Sequence, residues 1–550
     1  RFERTPRHLT MAVTQKQRES HRPAAQAAPT EPARELSPLR VTVLVAVLAA
    51  LLFGGWKLIA DGTSAAGATS DASPVYAPYV DVTLTPTYPF QLPSANPVSS
   101  VYLGFVVSQP SQPCTPSWGG YYTLGEAEQA LDLDARTAQL RAQGGSAVVS
   151  FGGQQGEELA VGCTSPSRLV RAYLAPIRRY RASTIDLDVE GAALADRAAN
   201  ARRAAAIATV QRQLAAQHRP LRVWLTLPVS GQGLTAEGLA AVRTMLAAHV
   251  KLAGVNAMTM DFGTPEAAAD MLGTIEHALE ATHAQVQSLW RAAGLQSGSA
   301  FAWEHVGATP MLGVNDSTGE RFTIADARQL AAFVGRQGIP RVSAWSLNRD
   351  TPCGGAFPKT GELSNTCSGV RQTPLQFTRI FSHLSGTKTA RQPAAASIPQ
   401  QTQPATVSTD NPAKSPYPIW RPTAAYPDGF KVVWQGQIYQ ASWWSQGTPP
   451  GSAAADSPTG PWQPVGPVPS GSRAPRPIRL ASGHFPHWSP TAVYHQGQRV
   501  SFGGLPYQAR WYTHAEQPLG ELPDDPASPW EPLYTYPGEP GDPSLKGGGK

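Results

Sequence analysis

The chain has 550 residues, a net charge of +6 at pH 7, 15% charged residues, 52 prolines and 50 glycines. That length accommodates one large domain with smaller modules beside it, and the low charged fraction with abundant proline suits an extracytoplasmic protein joined by Pro-rich linkers. The positive excess is mild and no dense Lys/Arg block is interleaved with aromatics, which argues against a nucleic-acid partner.

Met11-Ala12-Val13 is a more natural opening than Arg1, and nothing is assigned to residues 1–10. Residues 1–40 read as a polar, disordered, cytoplasmic N-terminus. Residues 41–60 are apolar except at Gly54, Gly55 and Lys57, and a helix of that length spans a bilayer core of roughly 30 Å. Lys16, Arg18, Arg22, Arg34 and Arg40 precede it, whereas after Lys57 the next basic residue is Arg136. The positive-inside rule then leaves the N-terminus in the cytoplasm and the rest on the extracellular side of the membrane, beyond a linker at 61–73. A cleaved signal peptide with a site around Ala65–Ala68 is the alternative and would secrete the protein. The anchor is favoured because a signal peptide's apolar core usually runs only about 7–15 residues. Cys114, Cys163, Cys353 and Cys367 form no CxxC pair and no His-linked metal spacing. An oxidising compartment favours two disulfides. Chain order suggests Cys114–Cys163 and Cys353–Cys367, although four cysteines permit three pairings and free thiols are the alternative.

Residues 74–388 alternate short apolar runs with helical stretches. The predicted strands fall at 74–84, 101–108, 146–153, 184–190, 222–228, 253–261, 301–305 and 341–347. Ala-rich helices separate several of them, as over 194–218 and 264–293. Eight strands with intervening helices suit an α/β fold of the (β/α)8 type. A doubly wound open sheet is the alternative, weakened because no Gly-rich nucleotide-binding turn follows the early strands.

The fourth strand, Thr184-Ile-Asp186-Leu-Asp188-Val-Glu190-Gly191, alternates strictly. Ile185, Leu187 and Val189 share one face; Asp186, Asp188 and Glu190 share the other. Neighbouring acids lie roughly 6–7 Å apart and repel by about 2–2.5 kcal/mol at an effective dielectric near 20. A solvent-exposed face would make that row harmless. In a barrel the acidic face instead points inward, with Glu190 nearest the C-terminal rim, where barrel active sites sit. Ser150, Asp261, Trp345 and Asn348 fall at comparable strand ends, and Trp345 is either a sugar-stacking platform or core.

These segments resemble the family 18 glycoside hydrolases, the chitinases and their relatives. The strand-four signature stands as Ser183-Thr-Ile-Asp186-Leu-Asp188-Val-Glu190, the strand-three Ser-x-Gly-Gly as Ser150-Phe-Gly152-Gly153, and the strand-six motif as Met258-Thr-Met260-Asp261. The strand-eight Trp stands as Trp345, and Tyr76-Ala-Pro-Tyr79-Val-Asp81 looks like the opening of certain bacterial members. The resemblance implies a substrate-assisted retaining hydrolase. Glu190 would be the general acid and base, and Asp188 would orient the substrate's acetamido group. Asp186 would share a proton with Asp188, and Asp261 would hydrogen-bond near the same carbonyl. Trp345 would floor the reacting sugar, with Ser150, Met258, Met260 and Tyr79 on the substrate-binding side. No metal and no organic cofactor would be needed. Two positions depart from the pattern: Ser183 replaces an Asp, and Met260 stands where many members place a hydrogen-bonding Tyr; a thioether donates no such bond.

Residues 389–415 read as a Pro-rich linker. After them Trp420, Tyr426, Val432, Tyr439, Trp443, Trp444 and Trp462 recur as Trp488, Tyr494, Val500, Tyr507, Trp511, Tyr512 and Trp530, at a constant offset of 68. The repeat defines two small all-β modules, at 416–466 and 484–535, with a linker at 467–483 and a disordered tail at 536–550. Trp462, Trp530, Tyr439 and Tyr507 are expected in their cores. Adjacent strand residues face opposite ways, so one residue of Trp443-Trp444, and one of Trp511-Tyr512, is expected to be exposed. Each unit resembles the chitin-binding modules of carbohydrate-binding families 5 and 12, through Tyr439-Gln-Ala-Ser-Trp443-Trp444. The expected protein is a monomer acting on chitin or other N-acetylglucosamine polymers. Peptidoglycan or N-glycan substrates, and a weakly catalytic carbohydrate-binding protein, are the alternatives.

Overall fold

The computed structural model describes residues 75–354, 358–385, 410–452, 455–457, 459–474, 485–503, 505–518 and 528–533. Strand one comes in two pieces, Val75–Tyr76 and Tyr79–Asp81. The first pairs in parallel with strand eight, Arg341–Val342, and the second with strand two, Ser100–Gln109, so the sheet closes on itself. Strands three (Ser146–Gly152), four (Thr184–Asp188), five (Arg222–Ser230), six (Leu252–Met258) and seven (Val306–Thr309) complete a ring of parallel neighbours. Helices return the chain between strands, among them Pro166–Arg179, Arg197–Ala215, Ala236–Ala247, Met271–Ala292 and Ile324–Gln337. The expected (β/α)8 barrel is present. Ile185, Leu187 and Val189 are at most 1% exposed and lie in the main apolar core, which leaves the acidic face of strand four to the barrel interior.

Three segments differ from the sequence expectation. Phe301–His305 is not a strand: Ser299–Trp303 forms a helical turn, with Trp303 stacked 4.1 Å from His283, and strand seven begins at Val306. Its Val-Gly-Ala-Thr run is short and lacks polar alternation. The long helices over 194–218 and 264–293 are each broken by an aspartate. Asp196 and Asp270 accept the backbone N–H groups of Ala199 and Gly273 and so start new helices. Both disulfides form in chain order, Cys114–Cys163 and Cys353–Cys367.

Each repeat folds as a three-stranded antiparallel sheet with a two-stranded ribbon. The first uses Lys431–Trp434, Gln437–Ala441 and Trp462–Pro467, and the second Arg499–Phe502, Leu505–Ala509 and Trp530–Pro532. Trp462, Trp530, Tyr439 and Tyr507 are buried as expected. Equivalent bonds hold both cores: Trp462 Nε1 donates to the Thr448 carbonyl and Trp530 Nε1 to that of Glu516. The first module is larger than 416–466. Asp410 accepts the backbone N–H groups of Gln435 and Gly436 at 2.8 Å, and Val468 N donates to the Gly436 carbonyl. Residues 410–415 and 467–474, expected as linker, therefore belong to it. Among the described residues no helix is long and apolar enough to cross a membrane. The expected segments 1–40, 41–60 and 61–73, the linker parts 389–409 and 475–483, and the tail 536–550 lie outside the described residues.

Candidate active site

The C-terminal ends of the barrel strands surround a cleft of about 620 Å³. Asp188, Glu190, Asp261, Met258, Met260, Trp345 and Tyr79 all line it. Strand register explains how the acids arrive there. Ser150 pairs with Asp186 and Gly152 with Asp188, while Trp224 and Thr226 of strand five pair with the same two aspartates from the other side. A Cβ on Gly152 would lie 1.9 Å from the Asp188 carbonyl oxygen, and one on Gly153 would lie 2.7 Å from the Phe105 ring. Both glycines have positive φ, 104° and 82°. The Gly-Gly pair thus lets strand three close onto strand four where the acids emerge.

Asp186 is fully buried and receives three hydroxyl hydrogen bonds: Ser150 Oγ at 2.6 Å, Tyr79 Oη at 2.9 Å and Thr226 Oγ1 at 2.6 Å. Asn256 Nδ2 donates in turn to Thr226 Oγ1 and to Thr309 Oγ1. Ser150 and Tyr79, expected on the substrate side, are therefore placed on Asp186; Tyr79 also forms part of the cleft wall. Burial raises the Asp186 carboxyl to about 6, against the opposing pull of its three donors. Asp188 has no such cage. Its Oδ1 is buried without a hydrogen-bond partner, and burial, Glu190 and Asp186 push its carboxyl well above the usual range. An acceptor stripped of partners at the wall of a cleft is prepared for a donor from outside. Glu190 has extended backbone at the start of the turn Gly191–Ala195, and its side chain does not cap that turn. Burial, then Asp261, then Asp316 raise it to about 7. Mutual repulsion within the row therefore shows at Asp188, between its two acidic neighbours. Burial does most to keep the Glu190 proton, and Asp261 and Asp316, which line the same cleft, add to it.

Asp261 is left-handed (φ 52°), a conformation Asp tolerates better than most residues. It accepts the Ser317 N–H at 2.9 Å, and burial raises its carboxyl. Trp345 is half-buried, with its ring stacked on Phe105 at 5.4 Å, so it is cleft wall rather than closed core. Asn348 ties strand eight to strand one through paired bonds with the Asp81 backbone. Met260 is 9% exposed and Met311 joins it in the lining. Sequence reasoning missed Thr226, which the inward alternation of strand five could have revealed. It also missed Asp316 and Tyr121; the latter is 62% exposed on the cleft rim. Both sit in loops without periodicity. Among the described residues no group of three or more His, Cys, Asp or Glu side chains is arranged to hold a metal ion.

A second surface lies on the modules. Trp443 and Trp444 are 45% and 61% exposed, and Trp511 and Tyr512 are 43% and 62% exposed. Both members of each pair face solvent, against the expectation of one. The pair occupies the bend between Gln437–Ala441 and Ser445–Gln446, and not a strand, so strand alternation does not apply. In the first module the two rings wall a shallow depression with Gln446, Thr448 and Ser452.

Residues 487–531 match the model of carbohydrate-binding module family 5/12. Over 309 residues the chain is 34% identical to the "Probable bifunctional chitinase/lysozyme" of Escherichia coli K12, covering 54% of this chain and 34% of that protein. Over 306 residues it is 32% identical to "Endochitinase 11" of Metarhizium anisopliae, covering 54% of this chain and 57% of that protein. The chain thus spans a third to just over half of the length of these curated relatives. The catalytic domain of a hyperthermophilic chitinase from Pyrococcus furiosus is 27% identical, with a TM-score of 0.49, covering 57% of this chain and 95% of that one.

Proposed function

We propose that the chain is a glycoside hydrolase of family 18 type that cleaves β-1,4 links between N-acetylglucosamine units of chitin by a substrate-assisted, retaining route. The observation that carries this reading is the pairing of two unlike carboxyls on one cleft wall. Asp188 is buried with an unpartnered oxygen, and Glu190 titrates near 7 at the rim. Both carboxyls are raised, but their surroundings differ: one is a buried acceptor without a partner and the other lies at the open rim.

Each step follows from those environments. Trp345 offers a ring face to the sugar in the scissile position. Glu190, still protonated near neutral pH, gives its proton to the glycosidic oxygen as the C1–O bond breaks. The acetamido carbonyl oxygen of the same sugar forms a bond to C1 from the opposite face, giving an oxazolinium ion. Asp188 accepts the acetamido N–H, holds that group in line and offsets the positive charge, while the caged Asp186 takes up the change in proton sharing between the two. The ionised Glu190 then removes a proton from water, whose oxygen attacks C1, reopens the oxazolinium and restores the starting acid with retained configuration. The polar donor that a Tyr would supply at position 260 is absent, so charge on the carbonyl oxygen is managed by Asp261 alone among the expected residues. The exposed aromatic pairs bind the flat faces of an insoluble polymer. Export fits both disulfides, with residues 41–60 as a membrane anchor that leaves the barrel outside the cell.

The test compares the full chain with Glu190→Gln for release of soluble N-acetylglucosamine oligomers from chitin. Turnover by the parent and its loss in the variant, with chitin retention equal, is the expected result. Equal inactivity with equal retention refutes the hydrolase and favours a carbohydrate-binding surface protein. The name of the Escherichia coli relative motivates a peptidoglycan arm, in which cleavage of peptidoglycan without cleavage of chitin would reassign the substrate.

A further inference from the structure

The two modules carry similar aromatic pairs, Trp443-Trp444 and Trp511-Tyr512, and the first is built into the barrel. The contact centres on Asp132, which has left-handed backbone (φ 49°) between the helices Leu124–Leu131 and Leu133–Ala142. Asp132 closes the first of these helices and precedes the second, and its side chain makes no cap bond. Both of its oxygens go to the first module instead. Tyr417 Oη donates to Oδ1 at 2.6 Å, and the Lys431 ammonium pairs with Oδ2. The pair is closed to solvent, with side-chain exposures of 10% for Lys431 and 4% for Asp132. Lys431 also lies 5.2 Å above the Tyr417 ring. Ala135, one turn along the helix, is fully buried in a shared apolar seam with Tyr417, Val433, Ile438 and Val465. Gly466 completes the fit: a Cβ there would lie 2.2 Å from the Ala135 carbonyl oxygen.

The repeat supplies an internal comparison. At the offset of 68, Trp443, Tyr426, Tyr439 and Trp462 are kept and Trp444 becomes the still aromatic Tyr512, but the docking face is not kept. Tyr417 becomes Phe485, which has no hydroxyl; Val433 becomes Ser501; Ile438 becomes Pro506; Gly466 becomes Tyr534. Val465 is 4% exposed, whereas its counterpart Leu533 is 37% exposed. Arg499, the counterpart of Lys431, bonds within its own module to Gln508. The copies have therefore diverged at the positions that meet the barrel, while the exposed pair has stayed aromatic in both.

We infer that the first module is a fixed part of the catalytic body, so that Trp443, Trp444 and the Glu190 cleft meet the polysaccharide surface in one set geometry, while the second module lacks that docking face. Asp132, Ala135 and Gly466 act as positioning residues for the attack on insoluble polymer. This rests on the hydrolase reading above, and the experiment separates the two.

Two full-length variants break the seam from opposite sides: Ala135→Glu places a charge on the barrel helix, and Gly466→Ala drives a methyl into its backbone. Small-angle scattering should show a larger maximum dimension for both. Turnover of short soluble N-acetylglucosamine oligomers and retention on insoluble chitin should stay at parent levels, whereas release of sugar from insoluble chitin should fall roughly three- to tenfold, as expected when a second binding event loses its fixed geometry. Lys431→Glu should act in the same direction. Identical scattering for parent and variants would overturn the docking. Changed scattering with unchanged attack on insoluble chitin would overturn its functional part. Lost turnover of soluble oligomers would mean the seam supports the barrel itself and would likewise overturn the positioning role. A parent that cleaves neither substrate would sink the hydrolase reading, while the scattering comparison still decides the docking.

Discussion

Glu190 can serve as acid only while it holds its proton, and the structure says what holds it. The carboxyl is raised from an ordinary 4.5 to about 7, a difference equivalent to roughly 3 kcal/mol in favour of the protonated form. Burial contributes most, Asp261 next and Asp316 least. Asp316→Asn should move the alkaline limb of the pH dependence of kcat/KM downward by a fraction of the separation between 4.5 and about 7, and Asp261→Asn should move it further. The sign is fixed. Removing a negative neighbour makes ionisation of Glu190 easier, so activity is lost at lower pH. The assay is the rate on short soluble N-acetylglucosamine oligomers from pH 4 to 9 at constant ionic strength. High salt should reproduce part of the movement in the parent, because the cleft is open to solvent. An alkaline limb that stays in place in Asp316→Asn, or moves upward, would refute this account of the proton.

Other variants test the neighbouring parts. The Asp188 carboxyl is raised in the fold above its unfolded value of 3.8, so the unfolded chain ionises first and stability is lost as pH climbs above about 4. Asp188→Asn should abolish most turnover, by roughly 10²-fold or more, yet raise Tm at pH 7 and leave it unchanged near pH 4; a lower Tm at pH 7 would contradict the burial argument. Gly152→Ala forces a Cβ to within 1.9 Å of the Asp188 carbonyl oxygen at a φ of 104°; it should cost about 2–4 kcal/mol in a denaturant titration and reduce kcat more than KM. Replacing Trp443 and Trp444 together by Ala should weaken retention on insoluble chitin and spare soluble oligomers; undiminished retention would remove the platform assignment.

The acidic row was legible because three carboxylates on one face of an apolar strand are rare without a purpose, and the register around it followed from alternation. What stayed hidden had physical reasons. Ser150 and Tyr79 could be located but not assigned, since only coordinates reveal that their hydroxyls meet on Asp186. Thr226 looks like any strand threonine. Asp316 reaches Glu190 from a loop far along the chain, where no periodicity points the way. Trp443 and Trp444 were judged by strand alternation, and a bend set them free of it. The seam at Asp132 had no sequence sign except one: the repeat's own divergence at Tyr417, Val433, Ile438 and Gly466, meaningful once their location was known.

The two disulfides bear on how such a site responds to reductant. Cys114 belongs to the hairpin strand Gln112–Trp118, which leads to Gly119, Tyr121 and Tyr122 on the rim, and Cys163 follows the segment that carries Gln154 and Gln155. Cys353 and Cys367 bracket Leu363, Ser364 and Asn365 on the rim. Every one of those rim residues lies on a loop stapled by a covalent bond, while Asp186 below is held by hydrogen bonds inside the barrel. Reductant therefore attacks the grip of the cleft before its chemistry: a partly reduced protein would lose its hold on long chains first and keep its capacity to cut short ones.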